Sequence, residues 1–164
     1  MPIRAEQEND IPAIRQVHKA AFETDVEAAL VDALRGRVDP LISLVAEDQG
    51  EVVGHILFSP CSIGSAKVMG LAPVAVLPEQ QKRGCGSALV RAGLDRCREL
   101  GFEAVIVLGH TEFYQKFGFV PASRFGLRSE FDVPDEVFMA IGLQPGALDD
   151  VAGLVKYHPA FADL

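Results

Sequence analysis

The sequence predicts an α+β or mixed α/β chain, a mixed sheet flanked by helices, and three observations carry that prediction. Residues 41–47 and 52–59 are β-rich runs separated by the polar link Asp48-Gln49-Gly50-Glu51, which reads as an antiparallel hairpin. Residues 68–76, 86–100 and 104–108 read as strand, amphipathic helix and fully apolar strand. Such a βαβ unit crosses right-handed and makes one pair of the sheet parallel. Two further amphipathic segments precede the hairpin and supply helices to cover the sheet.

The first strand is short, at Ile3–Ala5. A helix is expected from Asn9 or Asp10, because an Asx residue can cap it, Pro12 suits its first turn, and Ile14, Val17, His18, Ala21 and Phe22 recur at helical spacing. A second helix follows, with Thr24 as its cap, Val26, Ala29, Leu30, Ala33 and Leu34 on one face, and Gly36 as its stop. The strand over 68–76 reads as central and buried, yet Pro73 cannot donate to a ladder, so a bulge or local break is expected there. The helix over 86–100 turns Leu89, Val90, Gly93, Leu94 and Cys97 inward and closes at Gly101. Residues 112–117 read as a short helix ended by Gly118, and residues 120–124 and 137–143 as late strands.

Length and composition bound the rest. The chain has 164 residues, 49% of them apolar, enough for a single domain over 1–164 with a true core. Fifteen Lys and Arg against twenty-three Asp and Glu give a net charge of -8, which argues against nucleic acid or an anionic membrane as the partner. Glu6, Glu8 and Asp10 follow the start at once, so no secretory leader is expected. Three cysteines with no CxxC spacing point to neither a disulfide framework nor a zinc site, and fit a reducing cytoplasm. No metal is expected.

The strongest chemical signal is the passage from a strand ending at Val76 into Gln81-Lys82-Arg83-Gly84-Cys85-Gly86-Ser87-Ala88 and a helix. A helix start offers unpaired N–H groups and partial positive charge, which suits a pyrophosphate. Gly84 and Gly86 carry no Cβ to hold a ligand off, and Lys82 and Arg83 add positive charge in an acidic protein. Two glycines alone would fit any tight strand-to-helix turn, so the flanks decide. A dinucleotide fingerprint would need glycine where Leu89 stands, and a P-loop would need Lys and Ser or Thr after Gly86.

These residues resemble the GNAT superfamily of N-acetyltransferases, marked by Gln/Arg-x-x-Gly-x-Gly/Ala after a bulged central strand. Gln81-Lys82-Arg83-Gly84-Cys85-Gly86 matches at every defined position. The runs Gly54-His55-Ile56-Leu57-Phe58-Ser59 and Leu71-Ala72-Pro73-Val74-Ala75-Val76 and the closing Leu143-Gln144-Pro145-Gly146 resemble the YhbS-like group within it. The resemblance implies a mostly antiparallel sheet with a splayed V between the strand ending at Val76 and the strand Ala104–Leu108. It implies acetyl-CoA as acyl donor, with Val74, Ala75 and Val76 pairing to the pantetheine arm and Gln81 to Ala88 around the pyrophosphate. The acceptor it implies is a small-molecule or peptide amine, and a homodimer is compatible with it.

Phe113-Tyr114-Gln115-Lys116-Phe117-Gly118-Phe119 resembles the family's Tyr-x-x-x-Gly-Phe segment, which assigns Tyr114 as the acid that protonates the leaving thiolate. A phenol titrating near ~10 keeps its proton at neutral pH. The three phenylalanines read as core. For the base the candidates are His55, His110, Glu112 or a water chain. Gly109-His110-Thr111-Glu112 departs from the Asp-Pro pair expected there. Glu23, Asp25, Glu27 and Asp32 could draw in a cationic amine or be a solvated face. A cradle kept without turnover would instead make an acyl-CoA sensor.

Overall fold

The structure is a computed structural model that describes residues 2–163. Its elements are β1 (Ile3–Ala5), α1 (Ile11–Phe22), α2 (Val26–Leu34), β2 (Ile42–Asp48), β3 (Glu51–Ile63), β4 (Ala66–Val76), α3 (Cys85–Glu99), β5 (Ala104–Leu108), α4 (Thr111–Gln115), β6 (Val120–Pro121), β7 (Leu127–Ser129), β8 (Phe138–Gly142) and β9 (Gly153–Val155). The class is mixed α/β with a mostly antiparallel sheet. The described residues divide into two compact units, one comprising residues 2–59, 73–93 and 159–163 and the other residues 60–72 and 94–158.

In the first unit β1, β2 and β3 pair in that order, antiparallel throughout, and β4 follows β3. Val45, Ala46, Ile56 and Phe58 from these strands and Ile14, Val17, Val31 and Leu34 from α1 and α2 are almost wholly buried. Along α1 this is the spacing read from the sequence, whereas α2 is turned from the expected face: Ala28, Leu30, Val31 and Leu34 are buried, while Val26 and Ala29 are exposed. The caps differ from expectation. Asp10 precedes α1, but its carboxylate turns back to accept the Gln7 N–H and pairs with Arg4. Asp25 rather than Thr24 stands at the start of α2, and the Thr24 hydroxyl donates to Glu27 instead.

In the second unit the strand order is β4, β5, β8, β6, with β4 and β5 parallel and the other pairs antiparallel. The parallel register runs from Val68 opposite Ala104 to Leu71 opposite Val107, so Val74, Ala75 and Val76 lie past its end. Two expectations are corrected here, and one pairing is new. β3 runs on to Ile63 and turns directly into β4 through Gly64 and Ser65, because Pro60 and two serines had hidden the strand character of residues 60–67. The strand expected over 120–124 is only Val120–Pro121, since proline offers no ladder donor and the chain coils into a 3-10 turn, Ala122–Phe125. β7 and β9 form a separate parallel pair that the short, non-alternating segments did not announce.

Candidate active site

The proposed pyrophosphate turn is built as its residue types require. After β4 a 3-10 turn, Pro78–Gln80, leads into a loop in which Lys82 has φ +65° and Gly84 φ +84°. A left-handed conformation is cheap for glycine and strained for lysine, so the loop stores some strain at Lys82. A Cβ added at Gly84 would meet nothing within 4 Å, so the side that glycine leaves bare is open. The first helical bond of α3 runs from Ala88 N–H to the Gly84 carbonyl at 2.9 Å. Ala88 is thereby committed, and the N–H groups of Gly84, Cys85, Gly86 and Ser87 are those the helix start leaves over. Lys82 and Arg83 are exposed beside them.

Gln81 closes the turn onto the strand: its Nε2 donates to the Val76 carbonyl at 3.0 Å. Ala75 is buried, while Val74 and Val76 are partly open on the alternate face. Cys85 is buried. Its thiol points into the core, where a Cβ at Gly54 would stand 2.9 Å from Cys85 Sγ, and burial raises its pKa. It is a small apolar filler.

Tyr114 belongs to the second unit, on α4, and only 6% of it is exposed. Its ring meets Phe119 edge-on with centroids 5.6 Å apart. Burial pushes the phenol up to about 12, so it holds its proton throughout the neutral range. Sequence reading missed the residue that makes room for this ring. A Cβ at Gly109 would fall 2.4 Å from Tyr114 Cε2.

The candidate bases separate. His110 and Glu112 are exposed at the start of α4, where they line a shallow cavity of about 490 Å³ with Thr111, Phe113 and Lys116. His55 is fully buried and both its ring nitrogens are engaged, Nδ1 with His18 Nε2 at 2.8 Å and Nε2 with Ser43 Oγ at 2.7 Å. Of the acidic group, Asp32 is taken up by Arg15 and Arg35, and Glu27 by Thr24, while Glu23 ends α1 at φ +59°. Among the described residues no His, Cys, Asp or Glu cluster could hold a metal ion, and no helix is long and apolar enough to cross a membrane.

Along the chain a strand leads into a glycine turn at a helix start, and a strand parallel to the first and a buried tyrosine follow. The profile of the acetyltransferase (GNAT) family matches residues 11–119, and the chain belongs to that family of enzymes. Over 98% of its own length and 98% of the other's it is 37% identical to the uncharacterized N-acetyltransferase YhbS of Escherichia coli. The crystal structure of Escherichia coli YhbS in complex with CoA superposes with a TM-score of 0.92, covering 98% of this chain and 91% of that one. A GNAT family acetyltransferase from Brucella melitensis in complex with acetyl-CoA gives 0.80 at 38% identity, covering 98% and 97%.

Proposed function

We propose that this chain transfers the acetyl group of acetyl-CoA to a primary amine, by direct attack while both substrates are bound, and that residues 1–164 serve this one reaction. The observation that carries the reading is the turn: Gly84 is left-handed with open space where a side chain would stand, at the head of α3, with Lys82 and Arg83 exposed beside it. Bound acetyl-CoA supplies an activated thioester. Its pyrophosphate suits the N–H groups of Gly84 to Ser87, and its pantetheine amides suit the backbone of Val74, Ala75 and Val76, past the end of the β4–β5 register.

Tyr114 in this reading donates its proton to the sulfur as the amine nitrogen displaces it. A phenol that never ionises in the neutral range is always charged with the proton the thiolate needs. The relatives with CoA or acetyl-CoA bound support the donor assignment. The test is an amine panel with purified protein, followed by acetyl-CoA-dependent release of free thiol and mass detection of acetylated product. Thiol release that depends on an added amine supports the proposal. Binding of acetyl-CoA with no turnover on any amine makes the chain a sensor.

A further inference from the structure

A buried polar chain in the first unit takes no part in the reading above, and its direction can be derived. Arg35 grips Glu6 with two hydrogen bonds of 2.6 and 3.0 Å, and the Ser43 hydroxyl donates to the same carboxylate at 2.7 Å. Ser43 Oγ has given its proton away, so it accepts from His55 Nε2, which fixes the proton of His55 on that nitrogen. His55 Nδ1 is therefore a lone pair, and it accepts from His18 Nε2. What remains is the lone pair on His18 Nδ1, a sealed atom with no hydrogen-bond partner in the structure. An open buried acceptor costs about 1–3 kcal/mol, so each link of the chain serves to present one acceptor that the folded chain alone does not satisfy.

The chain lies next to the strand assigned to the acyl arm. Leu77 N–H donates to the Val53 carbonyl at 2.9 Å, and a Cβ at Gly54 would stand 3.4 Å from the Ala75 carbonyl, so this part of β3 runs beside Ala75 to Leu77. Gly54 faces Cys85 and Leu89 of α3, and alternation sends His55 to the opposite face, about 4.8 Å of strand spacing from β4. His18 reaches His55 from α1. One helical turn on, Phe22 stacks on His18 with centroids 5.9 Å apart and planes 7° from parallel, and Phe22 is 36% exposed.

We infer that His18 Nδ1 accepts the proton that the amine nitrogen sheds during acyl transfer, that Phe22 is the cover which swings aside to admit the amine, and that His55, Ser43 and Glu6 are positioning residues. The inference rests on the proposed amine acetylation. The nitrogen lone pair forms the N–C bond, the C–S bond breaks, the sulfur takes the proton of Tyr114, and the nitrogen's proton passes to His18 Nδ1. The imidazolium returns a proton to solvent as product leaves, and the phenolate recovers its own from solvent. His18 Nε2–H stays bonded to His55 throughout, so no ring must turn over between cycles. The titratable and charged groups that act on the ring are His55 on β3, hydrogen-bonded to it, and Arg35 after α2, itself paired with Glu6 and Asp32. Burial, with Arg35 adding to it, lowers His18 to about 4. A base that weak suffices, because the nitrogen is far more acidic once bonded to the carbonyl carbon than as a free ammonium.

The experiment uses the full chain with an amine that the wild type acetylates. His18→Gln should lower kcat by roughly 10²-fold without changing acetyl-CoA affinity, and added imidazoles should restore turnover to His18→Ala in order of their basicity. Should either fail to fold, Ser43→Ala removes only the hydroxyl and should displace the acid limb of the kcat/KM profile. Turnover of His18→Gln equal to wild type across the pH range, no rescue by any imidazole, or an unmoved acid limb in Ser43→Ala would each overturn the inference alone. A wild type that acetylates no amine overturns the proposed function and this with it.

Discussion

The ring of Tyr114 occupies the space where a side chain at residue 109 would begin, Cε2 lying 2.4 Å from the position of a Cβ on Gly109. Phe113 and Phe119 meet the same ring edge-on at 5.0 and 5.6 Å, and Phe119 is wholly buried. The ring is buried, so making room for a methyl group there must shift it or its neighbours. Gly109→Ala therefore displaces Tyr114 or its neighbours, and overpacking of this kind costs about 1–3 kcal/mol. The melting temperature and kcat should fall together while acetyl-CoA affinity holds, which melting curves and calorimetry on one preparation would show.

Tyr114→Phe separates chemistry from packing. It keeps the aromatic contacts and removes one hydroxyl. The ring contacts with Phe113 and Phe119 survive, so stability should change little. If the phenol delivers the proton to sulfur, kcat falls by roughly 10²-fold at unchanged acetyl-CoA affinity. Wild-type kcat in a variant of wild-type stability would make Tyr114 a wall residue.

Acid should loosen the first unit. His18 titrates near 6.5 in the unfolded chain and at about 4 in the folded one, so between those values the unfolded state binds more protons. Its contribution is complete above pH 6.5 and is lost as pH falls toward 4, on the order of 3 kcal/mol for a ring this buried. His55, lowered by burial first and then by His18 and Arg35, acts in the same direction. Urea unfolding from pH 7 to pH 4.5 should show stability dropping with a slope that His18→Gln reduces. An equal slope in both proteins would contradict the assignment of His18 as a buried neutral ring.

Much of this was legible in the residues, and the illegible parts share a cause. The hairpin, the βαβ unit and the turn at Gly84 are local patterns, set by alternation, helical spacing and glycine geometry within a few residues of each other. The β7–β9 pair and the extension of β3 to Ile63 depend on partners distant in sequence, such as Lys156 opposite Ser62. The polar chain was hidden for the same reason. Glu6, Ser43, His18 and His55 are dispersed over fifty residues, and only the fold makes them neighbours. Gly109 could have been suspected from its place directly after an apolar strand and five residues before the tyrosine.

Gly84→Val tests whether the turn after β4 holds the pyrophosphate of acetyl-CoA. At φ +84° a β-branched residue is strained, and its methyl groups would fill the open space that glycine leaves. Titration calorimetry of acetyl-CoA into wild type and variant, beside their melting curves, is the decisive measurement. Wild type should bind tightly, and a variant that still melts cooperatively should lose at least tenfold in affinity, about 1.4 kcal/mol. A folded Gly84→Val protein that binds acetyl-CoA as the wild type does would contradict that role of the turn.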